Sequence, residues 1–340
     1  MAATIGGCSR SNQAGSGGRG SSMLNGAGST FVYPLMSRWS SEYQHVDATA
    51  RINYQSIGSG GGIRQLIQRT VQFGATDGPM TDQQLTEAHS PVLHVPLVMG
   101  AVVPTYNLPS LAHAIRFTPD VLSGIFLGQI TTWNDPRIAG ANSDLQLPAT
   151  PIVVVHRSDG SGTTYVFTDY LSKVSPEWLA RVGKATSVNW PVGLGGRGNE
   201  GVAGTVRQTP GAVGYVELTY ALQNSMPVGT VRNHDGQFVE ASIASVTAAA
   251  ASSVTNLPAD LRYSITDAPG AASWPISGTT WALVYQDMPA GADRHALVSF
   301  LRWALHDGQR FCGPLHYAPL PAQVVALADA KLDLLEPTSR

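Results

Sequence analysis

The stretch His156-Arg157-Ser158-Asp159-Gly160-Ser161-Gly162-Thr163-Thr164 joins a strand signal to a helix signal through small, hydrogen-bond-rich residues. Upstream, Ile152-Val153-Val154-Val155 is a β-branched run of the kind that fills a buried strand. Downstream, Val166, Phe167, Tyr170, Leu171 and Val174 recur at helical spacing. The loop is therefore expected at a helix N-terminus, where unpaired N–H groups and the positive end of the helix dipole converge. Its glycines let an anion reach the backbone, Ser161 and Thr163 add hydroxyl donors, and Arg157 adds a full positive charge. The stretch reads as an anion cradle.

Outward from it, the same unit occurs twice more. Met23-Leu24 leads through Gly26-Ala27-Gly28-Ser29-Thr30 to Phe31, Leu35, Met36, Trp39 and Tyr43 at helical spacing. Pro34 is acceptable there because it falls in the first helical turn. Ile52-Asn53-Tyr54 leads through the glycine-rich loop 56–62 to a helix beginning at Ile63, Leu66 and Ile67. One Gly/Ser turn before a helix is ordinary capping, but three that leave so many donors unassigned point several helix ends at one ligand.

The rest of the chain alternates strands with helices, which predicts α/β architecture with parallel sheets. The run 71–79 reads as a strand ending in an acidic turn at Asp77, and Thr81-Asp82-Gln83-Gln84 starts a helix. Separate strands are expected at 92–96 and 101–106, then a break at Asn107-Leu108-Pro109, a helix over 119–126 and a turn at Trp133-Asn134-Asp135-Pro136. The run 189–201 holds a formal G-x-G-x-x-G at Gly193, Gly195 and Gly198. No β-branched strand precedes it, so it reads as a packing loop rather than a dinucleotide site. A strand at 213–216, helices at 218–222 and 243–252, and strands at 274–277 and 281–285 follow. Two helices close the chain, one over 294–306 stopped by Gly308 and one from about 322 to 335.

Composition narrows the classes. The 340 residues are 13% charged with a formal net charge of -2, so the chain has no basic field of the sort nucleic acid or an anionic membrane demands. Any bound anion must be held by local geometry. Cys8 and Cys312 are the only cysteines, without C-x-x-C spacing, and the nine histidines form no H-E-x-x-H, so neither a disulfide framework nor a metal or cofactor site is expected. The longest apolar run, 95–103, contains Pro96 and Gly100 and is too short to cross a bilayer. Ile5-Gly6-Gly7-Cys8 resembles the end of a bacterial lipoprotein signal, which would make Cys8 the lipidated residue. No basic and apolar leader precedes it, so a late start and an accidental match both stand. In either case 1–22, rich in Gly and Ser, is expected to be a flexible tether.

The motifs GAGSTF (26–31), IGSGGG (57–62), FGATDGP (73–79), HRSDGSGTT (156–164), GLGGRGNEG (193–201), PGAVGYVE (210–217) and LPAQVV (320–325) together resemble those of the substrate-binding proteins of bacterial high-affinity phosphate ABC transporters, over nearly all of 25–325. The resemblance implies a two-lobed periplasmic-binding-protein fold, type II-like, each lobe a mixed sheet flanked by helices. Two hinge crossings near 104–107 and 274–276 would join lobe I (23–105 and 276–340) to lobe II (106–275), and hinge motion would close them on the ligand. It further implies that Thr30, Phe31, Ser59, Asp77, Arg157, Ser161, Gly162 and Thr163 hold phosphate, Phe31 and Gly162 through backbone N–H, while Asp159 pairs with Arg157 and orients it. Ser29 stands where the family has alanine, a small departure expected to be harmless. The implied partners are inorganic phosphate and the membrane permease subunits, and the implied setting is the periplasm or the outer face of the cell membrane, as a monomer.

Two residues have competing readings. Asp77 beside a bound dianion should repel it, unless it accepts a phosphate proton that sulfate lacks; alternatively it only caps a turn before Pro79. Arg157 is either an anion ligand or a plain surface partner of Asp159. A phosphatase-like hydrolase on the same fold would need Ser59 or Ser161 as nucleophile, but neither lies in G-x-S-x-G and no base or metal cluster accompanies them. A binding protein for sulfate, molybdate, arsenate or an organic phosphate is the remaining variant.

Overall fold

Small residues at strand ends and β-branched residues inside strands set up repeated strand-to-helix turns, and these align along one edge of a single sheet. The computed structural model describes residues 22–108, 111, 113–254 and 257–336. Cys8 and the expected tether lie outside the described residues except for Ser22, which is not tether but the first residue of strand β1 (Ser22–Gly28), because its partner Ala50 extends the pairing that far.

The chain continues through α1 (Tyr33–Val46), β2 (Ala50–Ser56), α2 (Ser59–Ile67), β3 (Phe73–Thr76), α3 (Asp82–Glu87) and β4 (Val92–Tyr106). Next come β5 (Arg116–Phe117), α4 (Pro119–Phe126), α5 (Pro136–Ala141), β6 (Val153–Arg157), α6 (Gly162–Val174) and α7 (Pro176–Arg181). The third stretch holds β7 (Leu194–Gly196), α8 (Gly198–Gln208), β8 (Ala212–Glu217), α9 (Leu218–Gln223), β9 (Thr230–Arg232) and β10 (Phe238–Val239). It closes with α10 (Ile243–Ser253), β11 (Ser277–Tyr285), α11 (Ala292–Leu305) and α12 (Ala322–Asp333).

The main sheet has the order β2-β1-β3-β11-β4-β8-β6-β7, and a small sheet has the order β10-β9-β5. Strands β2, β1 and β3 run parallel in one block, and β8, β6 and β7 run parallel in another. The long strand β4 belongs to both, since it pairs antiparallel with β11 along its first part and with β8 along 102–106. Where the blocks meet, Val102 N donates to the Ile276 carbonyl and the Trp274 indole donates to the Val102 carbonyl, both at about 3 Å. Both blocks therefore aim the carboxyl ends of their parallel strands at a common seam, the place where open α/β sheets hold ligands.

Four expectations are corrected, among them the strands at 274–277 and 281–285, which form the single strand β11 (277–285) with 274–276 outside it. Strands 92–96 and 101–106 are one strand, and its register with β11 shifts beside Pro96, between Thr280 and Trp281, an irregularity of the kind at which a proline sits within a sheet. Helix α2 begins at Ser59 rather than at Ile63, with Gly60, Gly61 and Gly62 inside its first turns. A Cβ on Gly62 would sit 2.6 Å from Gly28 Cα, and one on Gly60 would sit 3.0 Å from Gly160 Cα, so these glycines serve close packing of a helix start rather than a loop. The 189–201 run is a fourth strand-to-helix unit, β7 into α8, and not a packing loop.

Aromatic burial anchors the seam. Phe31 is fully buried, with its ring centroid 6.2 Å from that of Tyr317, and burial of such a side chain stabilises by roughly 1.5–3 kcal/mol. Trp39 likewise ties α1 to the Gly308 carbonyl at 2.8 Å, so the chain's late segment folds back onto its first block.

Candidate anion-binding site

All eight residues expected at the site lie along this seam. Thr30 and Phe31 follow β1, Ser59 opens α2 and Asp77 follows β3, all in the first block. Arg157 ends β6, Ser161 caps α6, and Gly162 and Thr163 form the first turn of α6, all in the second. Contacts across the seam join the two sets: Gly162 N donates to Ser59 Oγ at 3.0 Å and Gly60 N donates to the Gly160 carbonyl at 2.9 Å. Every polar side chain in the set is buried. Helix geometry leaves the first N–H groups of α6 without intrahelical acceptors. Gly162 N is taken by Ser59 Oγ and Thr164 N by Ser161 Oγ at 3.0 Å, while Thr163 N has no acceptor among the described residues.

Arg157 is held as a fork. Its Nε donates to Asp159 Oδ1 at 2.7 Å and one terminal nitrogen donates to Oδ2 at 2.6 Å, leaving the other to face Thr163 Oγ1 at 3.3 Å. Its side chain is 1% exposed, which removes the reading of Arg157 as a surface residue paired to Asp159. Burial pushes the Asp159 carboxyl up, but the two Arg157 hydrogen bonds, the guanidinium charge and Gly198 N–H carry it below the usual range. Gly58, at φ +83°, allows this packing, because a Cβ there would overlap Asp159 Oδ2.

Asp77 is the only carboxylate facing α6 across the seam among the expected site residues. Ser29 Oγ donates to Oδ1 at 2.6 Å and Oδ2 at 2.7 Å, and Thr280 Oγ1 donates to Oδ1 at 2.6 Å. Oδ2 faces Gly162, where a Cβ would overlap it. Burial pushes the Asp77 carboxyl up to about 6; hydrogen bonds from Ser29 and Thr280 and the Arg157 charge hold it from rising further. Asp77 is thus no mere turn cap. Ser29 is also more than a tolerated small residue, since its hydroxyl is bonded to both oxygens of Asp77.

The profile of the PBP superfamily domain matches residues 11–307. The phosphate-binding protein PstS of Xylella fastidiosa strain 9a5c is 46% identical over 308 residues, covering 90% of this chain and 84% of the relative. PstS of Pasteurella multocida strain Pm70 is 42% identical over 309 residues, covering 91% and 89%. The chain belongs to the PstS family of phosphate-binding proteins. Its fold is shared by PfluDING, a high-affinity periplasmic phosphate-binding protein solved with phosphate bound, at a TM-score of 0.74 and 22% identity over 91% of this chain and 93% of that one.

Within this PstS-family chain the structure adds residues that the sequence reading passed over. Asn199, in the first turn of α8, donates Nδ2 to Thr30 Oγ1 at 2.8 Å and to Thr163 Oγ1 at 3.0 Å. Tyr220 donates to the Thr30 carbonyl and Tyr317 to the Phe31 carbonyl, each at 2.6 Å, so the Thr30-Phe31 turn is clamped from both blocks. Tyr317 Oη also lies 3.2 Å from Oε2 of the buried Glu217. Burial pushes the Glu217 carboxyl up to about 8, with Thr219 and Tyr317 hydrogen bonds opposing the rise. The available signal was the small-residue step into α8 in GLGGRGNEG, which repeats the other three cradles without a β-branched strand before it. Among the described residues no group of His, Cys, Asp and Glu is arranged to hold a metal ion.

Proposed function

We propose that the chain captures inorganic phosphate outside the cytoplasm and delivers it to the membrane permease subunits of a phosphate ABC transporter. Phosphate would be held by Thr30, Phe31, Ser59, Asp77, Arg157, Ser161, Gly162 and Thr163, with Asp159 orienting Arg157. The observation that carries this reading is the pairing of one buried acceptor, Asp77 Oδ2, with a surrounding shell of donors: the α6 N-terminus, Arg157 and the serine and threonine hydroxyls. Donors alone suit any oxyanion, whereas an added carboxylate acceptor suits one that carries a proton.

The two blocks are read as lobes that open at the two crossings near 104–107 and 274–276 and close on the ligand as a monomer, a hinge motion suited to their shared seam. Periplasmic placement, or an anchor through Cys8 at the outer face of the cell membrane, goes with this reading. No helix among the described residues is long and apolar enough to cross a membrane. The family is one of binding proteins, and a hydrolase reading lacks its base: the His156 ring stacks on Trp190 at 4.8 Å and its Nδ1 lies 3.0 Å from the Arg157 carbonyl.

Calorimetry with phosphate, arsenate, sulfate and molybdate tests the proposal. Phosphate bound far more tightly than sulfate is the expected result; indifference among the anions, or no uptake of phosphate, would sink it.

A further inference from the structure

Asn199 is fully buried, belongs to the second block and touches a ligand-set hydroxyl from each block. Its orientation is not arbitrary. The Glu217 N–H can only donate, and it meets Asn199 Oδ1 at 2.9 Å, so the amide oxygen is fixed on that side and the NH2 group must face the two threonines.

The consequence lies in the lone pairs. A threonine hydroxyl has two lone pairs and one proton. Thr30 Oγ1 receives Asn199 Nδ2 at 2.8 Å and the Asn199 backbone N–H at 3.3 Å. Thr163 Oγ1 receives Asn199 Nδ2 at 3.0 Å and Arg157 at 3.3 Å. None of these four donors can accept in return, so each hydroxyl has its acceptor capacity filled and only its proton left to offer.

We infer that Asn199 is a positioning residue that sets Thr30 and Thr163 as obligate hydrogen-bond donors toward the anion, without touching the anion itself. This rests on the phosphate-binding reading above. Because Thr30 lies across the seam from Asn199, its polarity is set only when the blocks meet. The grip from the first block then depends on closure, beyond the mere approach of the two faces. A hydroxyl free to rotate could turn its lone pairs toward the ligand; these two cannot.

The test is calorimetric phosphate binding by the full chain for Asn199→Ala, for the double variant Thr30→Val/Thr163→Val, and for the triple combination. Asn199→Ala is expected to lose about tenfold to hundredfold in affinity. The triple variant should match the double within about threefold, because Asn199 acts through the hydroxyls already removed. A purely structural role would instead multiply the Asn199→Ala loss onto the double variant, and that additivity overturns the inference. Asn199→Asp keeps an acceptor for Glu217 N–H yet turns a second acceptor toward the threonines, drawing their protons away, and covers the case in which alanine packs poorly. About a hundredfold loss or more is expected of it, and affinity within about threefold of the parent overturns the inference. If the parent itself takes up no phosphate, the functional reading fails and this one with it; if the parent binds and the losses simply multiply, only this one does.

Discussion

Ser59 and Gly162, 103 positions apart in sequence, share a hydrogen bond from Gly162 N to Ser59 Oγ at 3.0 Å across the seam between the two blocks. The contact needs glycine: a Cβ on residue 162 would come within 2.5 Å of Ser59 Oγ and overlap Asp77 Oδ2. In the proposed function, closure and ligand approach would therefore use the same missing atom. Gly162→Ala should lower phosphate affinity by about a hundredfold, a cost typical of forced overpacking, while the melting temperature of the ligand-free chain shifts little because the seam can part to relieve the clash. Calorimetry and thermal melts check this; near-parent affinity contradicts it.

In the proposed site, Asp77 is expected to decide between anions through its proton state. Its carboxyl is pushed up to about 6 by burial, so above that pH it is an anion that repels sulfate and accepts a phosphate proton. As pH falls through about 6 it takes up its own proton, and the repulsion of sulfate fades. The phosphate-over-sulfate preference should therefore shrink between pH 8 and pH 5 in the parent, and be smaller and flat in Asp77→Asn. Equal preferences in parent and variant at pH 8 would refute the role.

Ser29 donates to both oxygens of that carboxylate. Ser29→Ala leaves Thr280 as the remaining hydroxyl at Oδ1 within bonding distance and should cost roughly 1–3 kcal/mol of stability at neutral pH, the range for a buried charge that loses a donor. The variant should also raise the Asp77 titration point, since a bond to the charged form has been removed. Denaturant unfolding at pH 8 and the pH dependence of sulfate binding measure the two effects.

Arg157 should tolerate neither loss nor shortening of its fork. Arg157→Lys cannot span both Asp159 oxygens while facing Thr163, and Arg157→Ala leaves the partly buried Asp159 without its two guanidinium bonds. Both variants should lose more phosphate affinity than Ser59→Ala or Thr163→Val, with Arg157→Ala the weakest binder. A hydroxyl variant weaker than Arg157→Ala would overturn that order.

Glu217 makes a stability prediction with a definite sign. Its carboxyl is pushed by burial up to about 8 in the folded chain against 4.5 for a free glutamate, so between these limits the folded state holds a proton that the unfolded state has released. The stabilisation is complete below about 4.5 and is lost as pH rises through about 8. At roughly 1.4 kcal/mol per pKa unit the effect reaches a few kcal/mol. Glu217→Gln removes the proton exchange, so its melting temperature should vary less than the parent's from pH 5 to pH 8. Parallel curves would show that Glu217 does not titrate in this range.

The sequence by itself determined the local units: three of the four small-residue steps into helices, the positions of Thr30, Ser59, Arg157 and Ser161 at those steps, Asp77 in the acidic turn after its strand, and the α/β alternation. These follow from nearest-neighbour chemistry, in which β-branched runs, capping hydroxyls and helical spacing act within a few residues. The tertiary structure alone decided the fourth unit. Strand β7 is Leu-Gly-Gly, with no strand propensity of its own, and exists because 194–196 pair with 155–157 of β6 while a Cβ on Gly196 would strike α8 at Val202 N, 2.7 Å away. With β7 comes α8 and with α8 comes Asn199, whose meaning lies in two hydroxyls 169 and 36 positions away. The same holds for Ser29 and Thr280 on Asp77, and for Tyr220 and Tyr317 on the Thr30-Phe31 turn. A hydroxyl or an amide has a direction only once its partners are in place, and those partners come together only when both blocks of the sheet meet at the seam.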